Sequence, residues 1–176
     1  MKPVVQICGY KNSGKTTLLS SLLRIFNGMN ISTAVIKHDL HGFEGDVEDT
    51  DTYKLRSAGA AATAITSPWR TAVVEERETP LHDLIERFQS YDLILVEGFK
   101  QESYPKIVLL HTPEDLDLIH QVSGLIALVV RRDSKEGIGI SDNIFINTLV
   151  KESEVLVFYA DEVRRIAEFI LTRSEN

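Results

Sequence analysis

The sequence predicts an α/β fold of three layers, a mostly parallel sheet between helices with an inserted β-hairpin. Three observations predict it. Short apolar runs alternate with helical periods throughout the 176 residues, as expected where helices connect the strands of one sheet. Runs such as Val4 to Cys8, Leu93 to Val96 and Ile126 to Val130 are largely apolar, as strands covered on both faces are. Two further runs, Ala62 to Thr66 and Arg70 to Val74, are separated only by Ser67-Pro68-Trp69, where Pro68 makes a turn and the pair reads as a hairpin.

Taken in order, Val4 to Cys8 is the first strand, bounded by Gly9. Lys15 to Phe26 places Leu18, Leu19, Leu22, Leu23 and Phe26 at helical spacing, and Gly28 ends that helix. Thr33 to Ile36 is a second strand, and Asp51 to Ala58 a short helix that Asp51 caps and Gly59 stops. After the hairpin, Thr79-Pro80 signals a helix through Phe88 with Leu81, Leu84, Ile85 and Phe88 on one side. Leu93 to Val96 and Ile107 to Leu110 are strands, Thr112-Pro113 opens a short helix, and Ile126 to Val130 and Val155 to Phe158 complete the sheet. Asp161 caps a closing helix in which Val163, Ile166, Ala167 and Ile170 keep the period. Arg132 to Glu154 follows no clear pattern. No internal repeat or linker divides the chain, so residues 1–176 read as one domain.

A chain of this length hides about 70% of its unfolded surface and needs neither disulfide nor structural metal. Its net charge of −7 argues against a non-specific grip on nucleic acid or an anionic membrane. The one cysteine, Cys8, suits a reducing compartment and reads as a small core residue. The longest apolar run, Leu125 to Val130, is far short of the roughly 20 residues that span a bilayer. A cytoplasmic protein is the expectation.

Between the first strand and first helix lies Gly9-Tyr10-Lys11-Asn12-Ser13-Gly14-Lys15-Thr16-Thr17, a full match to the phosphate-loop pattern G-x-x-x-x-G-K-[ST]. At ordinary residue usage a chance match has odds of about one in a hundred, and the strand-to-helix setting is the one the mechanism demands. The glycines let backbone N–H groups turn inward around phosphates. Lys15 sets a charge beside the β- and γ-phosphates, the helix start adds its dipole, and Thr16 offers a hydroxyl to Mg²⁺. The fold class is therefore that of a phosphate-loop NTPase.

An acidic partner is expected at the carboxyl end of a neighbouring strand. Asp92 precedes Leu93 to Val96 and Glu97 follows it, so they stand roughly 16 Å apart and only Glu97 is at the right end. It reads as a metal, water or phosphate-side residue, with Gly98 allowing close backbone approach. His38 to Asp51 holds six carboxylates and two histidines. This stretch reads equally as a nucleotide-linked loop, with Asp39 near Mg²⁺, and as a solvated acidic loop. His38-x-x-His41 has no further zinc-spaced ligands, and no EF-hand register is present. Arg131-Arg132-Asp133 suits contact with a base or phosphate and equally suits solvated strand-end charge.

Gly9 to Thr17, Asp51-Thr52 through Ala58-Gly59-Ala60, and Val96-Glu97-Gly98-Phe99-Lys100, in that order, resemble the MobB family, small phosphate-loop GTP-binding proteins of molybdopterin-guanine dinucleotide biosynthesis. The resemblance covers nearly the whole chain. It implies a weakly hydrolysing GTP-binding accessory protein that assists attachment of GMP to molybdopterin. Its implied partners are the guanylyltransferase (protein A), molybdopterin and a second copy of itself. By position it assigns Gly9, Lys11, Asn12, Ser13, Gly14, Lys15, Thr16 and Thr17 to phosphate and Mg²⁺, Glu97 to the second acidic place, and Asp133 to an acidic position after a late strand. No Asn-Lys-x-Asp element is present, so guanine preference is what the resemblance implies.

With Lys15 and Glu97 as catalytic residues and Thr16, Glu97 and Asp39 as metal residues, the leading expectation is a Mg-GTP-binding accessory factor. A small-molecule kinase is the alternative, disfavoured for anionic acceptors by the acidity of His38 to Asp51. A module with a relict loop would bind no nucleotide.

Overall fold

The computed structural model describes residues 2–131 and 155–174. They run β1 (Val4–Cys8), α1 (Lys15–Gly28), β2 (Thr33–Lys37), α2 (Asp51–Ser57), β3 (Ala62–Ser67), β4 (Arg70–Glu75), α3 (Leu81–Arg87), β5 (Leu93–Glu97), β6 (Lys106–Leu110), a 3-10 turn (Pro113–Leu116), α4 (Asp117–Gln121), β7 (Leu125–Val130), β8 (Leu156–Tyr159) and α5 (Val163–Ser174). The described residues fall into two compact units: those up to His38 together with those from Leu84 onward, and residues 39–83.

In the larger unit the apolar runs pair as a six-stranded sheet in the order β2-β5-β1-β6-β7-β8, all parallel. The pleat sends alternate residues to opposite faces. Val5, Ile7, Leu95, Leu109 and Val129 therefore meet Leu22 and Phe26 of α1 and Ile166 and Ile170 of α5. Cys8, Val108, Leu128 and Val130 meet Leu118 and Ile119 of α4 in a separate cluster. Each fully buried side chain such as Leu22 or Phe26 contributes about 2–3 kcal/mol. The expected parallel sheet between helical layers is what forms.

The smaller unit contains the expected hairpin, β3 paired antiparallel with β4 from Ala62↔Glu75 to Ser67↔Arg70. Both strands are largely exposed, with Ile65, Val73 and the turn residue Trp69 in solvent. A two-stranded ribbon of this kind is marginal alone. Arg56 of α2 supports it by pairing with Glu76 beyond β4 at 2.8 Å and with Glu44 at 2.6 Å.

Two helix caps differ from expectation and one helix end follows it. Thr50, not Asp51, caps α2, its hydroxyl accepting the Tyr53 N–H at 3.3 Å, because the cap must precede the first helical residue and Asp51 already lies in the first turn. Gly28 is the last residue of α1, as expected, and does not itself take the left-handed exit conformation. Asn30 does, at φ 57, with Ile31 N–H donating to Phe26 O and Asn30 N–H to Asn27 O, the paired bonds of a Schellman ending. Ile166 N–H donates to Glu162 O, which moves the cap of α5 from Asp161 to Glu162.

Candidate functional site

Gly9 leaves β1 against the neighbouring strand: a Cβ there would stand 3.1 Å from Leu109 O and would collide with Ser13 Oγ. Any larger residue would have to push the Ser13 side chain aside and shift the strand carbonyl. The loop then turns through two left-handed residues, Asn12 at φ 64 and Gly14 at φ 96, the second being the N-cap of α1. Asn tolerates that region better than most side chains and Gly does so without strain. Lys11 and Asn12 are exposed and Ser13 is buried.

Lys15 is the first residue of α1 and folds back over the loop, its Nζ donating to Tyr10 O at 2.7 Å and Gly9 O at 3.1 Å. Burial pushes its ammonium below the usual lysine range, Glu97 pulls it back up, and Lys100 and Lys37 push it down. Three lysines thus share the field of one carboxylate. Lys100 itself stands 4.3 Å above the Tyr10 ring, a cation–π contact.

Glu97 ends β5, aligned with Ile7 of β1 on one side and Lys37 of β2 on the other. The parallel order brings it to the phosphate loop as the strand-end argument requires. It is 7% exposed. Thr16 Oγ1 donates to its Oε2 at 3.2 Å and Lys37 Nζ to its Oε1 at 2.8 Å. The next two residues are left-handed, Gly98 at φ 93 and Phe99 at φ 51. Phe99 stacks on His38 with centroids 4.4 Å apart, and Gly98 N–H donates to Ile7 O at 3.1 Å. Beneath this turn, the fully buried Gln6 donates through Nε2 to Phe99 O at 2.9 Å and Gly98 O at 3.0 Å. A Cβ on Gly98 would lie 3.2 Å from His38 Cβ. Gly98→Ala is expected to cost about 1–2 kcal/mol, read by chemical denaturation, because alanine resists a positive φ.

The site therefore joins Gly9, Lys11, Asn12, Ser13 and Gly14 of the loop to Lys15, Thr16 and Thr17 in the first turn of α1, and adds Glu97 to Thr16. Asp39 opens the other unit, exposed, its carboxylate accepting the His41 N–H at 3.0 Å. Asp133 lies outside the described residues. In the acidic stretch, Asp46 accepts from Thr52 at 2.9 Å and Thr50 at 3.2 Å while Glu44 holds Arg56. Those two carboxylates help build α2. Cys8 is fully buried, bonded to Gly98 O, with burial pushing its thiol up, and so serves the core as expected.

Lys37, Lys100 and Gln6 were not singled out by sequence reasoning. Gln6 carried a signal, as the one polar residue inside an apolar strand, and Lys37 ends its strand at the same level as Glu97.

The family model for molybdopterin guanine dinucleotide synthesis protein B matches residues 4–131. The chain belongs to the MobB family. A MobB relative from Bacillus subtilis (strain 168), a probable molybdopterin-guanine dinucleotide biosynthesis adapter protein, is 37% identical over 134 residues, 74% of this chain and 77% of its own. The crystal structure of Bacillus subtilis MobB superposes with a TM-score of 0.76 at 29% identity, covering 98% of both chains. Outside the MobB family, the hydrogenase maturation factor HypB from Archaeoglobus fulgidus shares the fold, with a TM-score of 0.51 at 14% identity over 90% of this chain and 79% of its own. Among the described residues no helix is long and apolar enough to cross a membrane.

Proposed function

We propose that the chain is a Mg-GTP-binding adapter protein of the cytoplasm that assists conversion of molybdopterin to its guanine dinucleotide form and hydrolyses GTP slowly. The observation that carries this reading is the junction of Thr16 with Glu97 at the mouth of the phosphate loop, 3.2 Å apart. Gly9, Lys11, Asn12, Ser13, Gly14, Lys15, Thr16 and Thr17 bind the phosphates, Lys15 and Glu97 serve hydrolysis, and the whole chain acts as one nucleotide-binding domain. A hydroxyl and a carboxylate are hard oxygen donors and suit Mg²⁺, which takes one or two protein ligands beside phosphate oxygens and water. No cluster of three or more His, Cys, Asp or Glu exists among the described residues to cage a different metal. When bound, Mg²⁺ would neutralise phosphate charge from Thr16 and Glu97.

The adapter names of the relatives support a place in molybdopterin-guanine dinucleotide biosynthesis, where the resemblance puts the guanylyltransferase and molybdopterin beside it. The resemblance supports a second copy of the chain as a further partner, and exposed Ile65 and Val73, one on each face of the hairpin, give it apolar surface to cover. Slow turnover fits a small domain that awaits an arginine finger from elsewhere.

Calorimetry with GTP and ATP, with and without Mg²⁺, tests the reading. GTP is expected to bind more tightly than ATP and to need Mg²⁺ for full affinity; no triphosphate binding under any condition overturns it. Glu97→Gln is expected to lower Mg²⁺-dependent hydrolysis about tenfold while GTP affinity stays within about threefold, since it removes a metal-side charge and leaves the loop intact. Wild-type turnover in that variant would remove Glu97 from the site.

A further inference from the structure

The reading above places a divalent cation against Glu97, yet that carboxylate already has a cation. Lys37 and Glu97 are aligned across neighbouring parallel strands, so their side chains rise from the same face. The Lys37 ammonium sits 2.8 Å from Oε1 while the Thr16 hydroxyl takes Oε2 at 3.2 Å. The two ends of the pair differ in exposure: the Glu97 side chain is 9% exposed and that of Lys37 54%. A buried carboxylate without a partner is costly, and here the compensating charge comes from an edge strand on a long side chain that reaches water.

The geometry points to Lys37 as a built-in stand-in for the metal: it neutralises Glu97 when no nucleotide is bound and is displaced from Oε1 when Mg²⁺ arrives on Thr16 and Glu97. The inference rests on the Mg-nucleotide reading and deepens it. An ammonium and a divalent cation on one carboxylate stand within a few ångströms, where like charges repel strongly in a partly buried site. Only one of them holds Glu97 at full strength. The exchange replaces two contacts of Glu97, the Lys37 ammonium on Oε1 and the Thr16 hydroxyl on Oε2, and Lys37 can find water or phosphate oxygen once released. Lys37 is thus a positioning residue that sets how much Mg²⁺ the site requires. Its removal takes the ammonium off Oε1, leaves Glu97 with the Thr16 hydroxyl and the weaker field of Lys15, and makes the carboxylate a stronger metal ligand.

The test is a Mg²⁺ titration of full-length protein with a fluorescent GTP analogue, comparing wild type, Lys37→Met and Lys37→Arg, with folding checked by circular dichroism. For Lys37→Met the Mg²⁺ midpoint is expected to fall about tenfold. For Lys37→Arg it is expected to rise, because a guanidinium grips a carboxylate through two donors. In a Glu97→Gln background the Lys37→Met shift should vanish, as a coupling carried by that one pair must. A midpoint that is unchanged or higher in Lys37→Met, with wild type responding normally to Mg²⁺, overturns the stand-in role alone. If wild type binds no analogue at any Mg²⁺ concentration, the nucleotide reading fails and the stand-in role with it. Should Lys37→Met fail to fold, a midpoint in Lys37→Arg at or below wild type is the overturning result.

Discussion

Lys15→Ala is expected to weaken GTP binding about 100-fold or more in calorimetry while the melting temperature moves by only a few degrees. Lys15 is half-buried at the start of α1, and its ammonium lies over the loop carbonyls of Gly9 and Tyr10. A phosphate entering the loop meets that charge at short range and with little water between. Truncating one member of a desolvated, hydrogen-bonded charge pair costs about 2–5 kcal/mol, and about 3 kcal/mol is already a factor of 100. The fold loses much less. The Lys15 Nζ donates to two part-buried loop carbonyls that water reaches once the side chain is gone, so the net cost to the fold is about 1–2 kcal/mol. The turn itself is fixed by Gly9 packing on Leu109 and by the left-handed Asn12 and Gly14. GTP affinity equal to wild type would show that Lys15 does not face the phosphates, and joint loss of affinity and of the cooperative melt would show that it is structural.

Lys15 was legible in the sequence because the phosphate loop is a local device: every group in it comes from nine consecutive residues whose spacing carries the geometry. Glu97 was legible for a different reason, since a parallel sheet forces strand ends to one side. The fold was readable on the same terms. Strands β1, β5 and β7 are apolar on both faces because both faces are covered, and that leaves a pattern without alternation. What the sequence hid depends on partners distant along the chain. Lys37 looks like an ordinary charged strand end until β2 is placed beside β5. Gln6 reads as a defect in an apolar run until the carbonyls of Gly98 and Phe99 are found above it, more than ninety residues away. The helix caps failed at a finer grain: Thr50 and Asp51 are both good cap formers, and only the backbone of Thr50 is extended.

Lys106→Ala is expected to cost about 4 kcal/mol of stability, the largest loss of any single substitution considered, because Lys106 is a charged residue with no exposed surface. It opens β6, aligned with the equally buried Gln6 of β1. Its Nζ donates to Glu102 O and to Tyr104 O at 3.1 Å. Burial pushes its ammonium below the usual lysine range, while the Cys8 thiol and Glu102 pull it up. The cation therefore fastens the 98–105 connection onto the sheet from below, as Gln6 fastens its first two residues. Removing the side chain leaves a cavity and two carbonyls without a donor. Large-to-small core changes cost about 2–5 kcal/mol, and each orphaned buried polar group adds about 1–3 kcal/mol less whatever local relaxation recovers. For a chain of this size about 4 kcal/mol lowers the melting temperature by about 12 °C. Lys106→Met separates the two causes: it fills the volume but donates nothing, and is expected to lose about half as much. If Met matches wild type, the ammonium bonds contribute nothing and Lys106 is packing alone. If Met falls as far as Ala, the bonds carry the whole effect. In that second case the 98–105 connection is loosened at its base, and Mg²⁺-dependent hydrolysis should fall with stability, because Glu97 immediately precedes it.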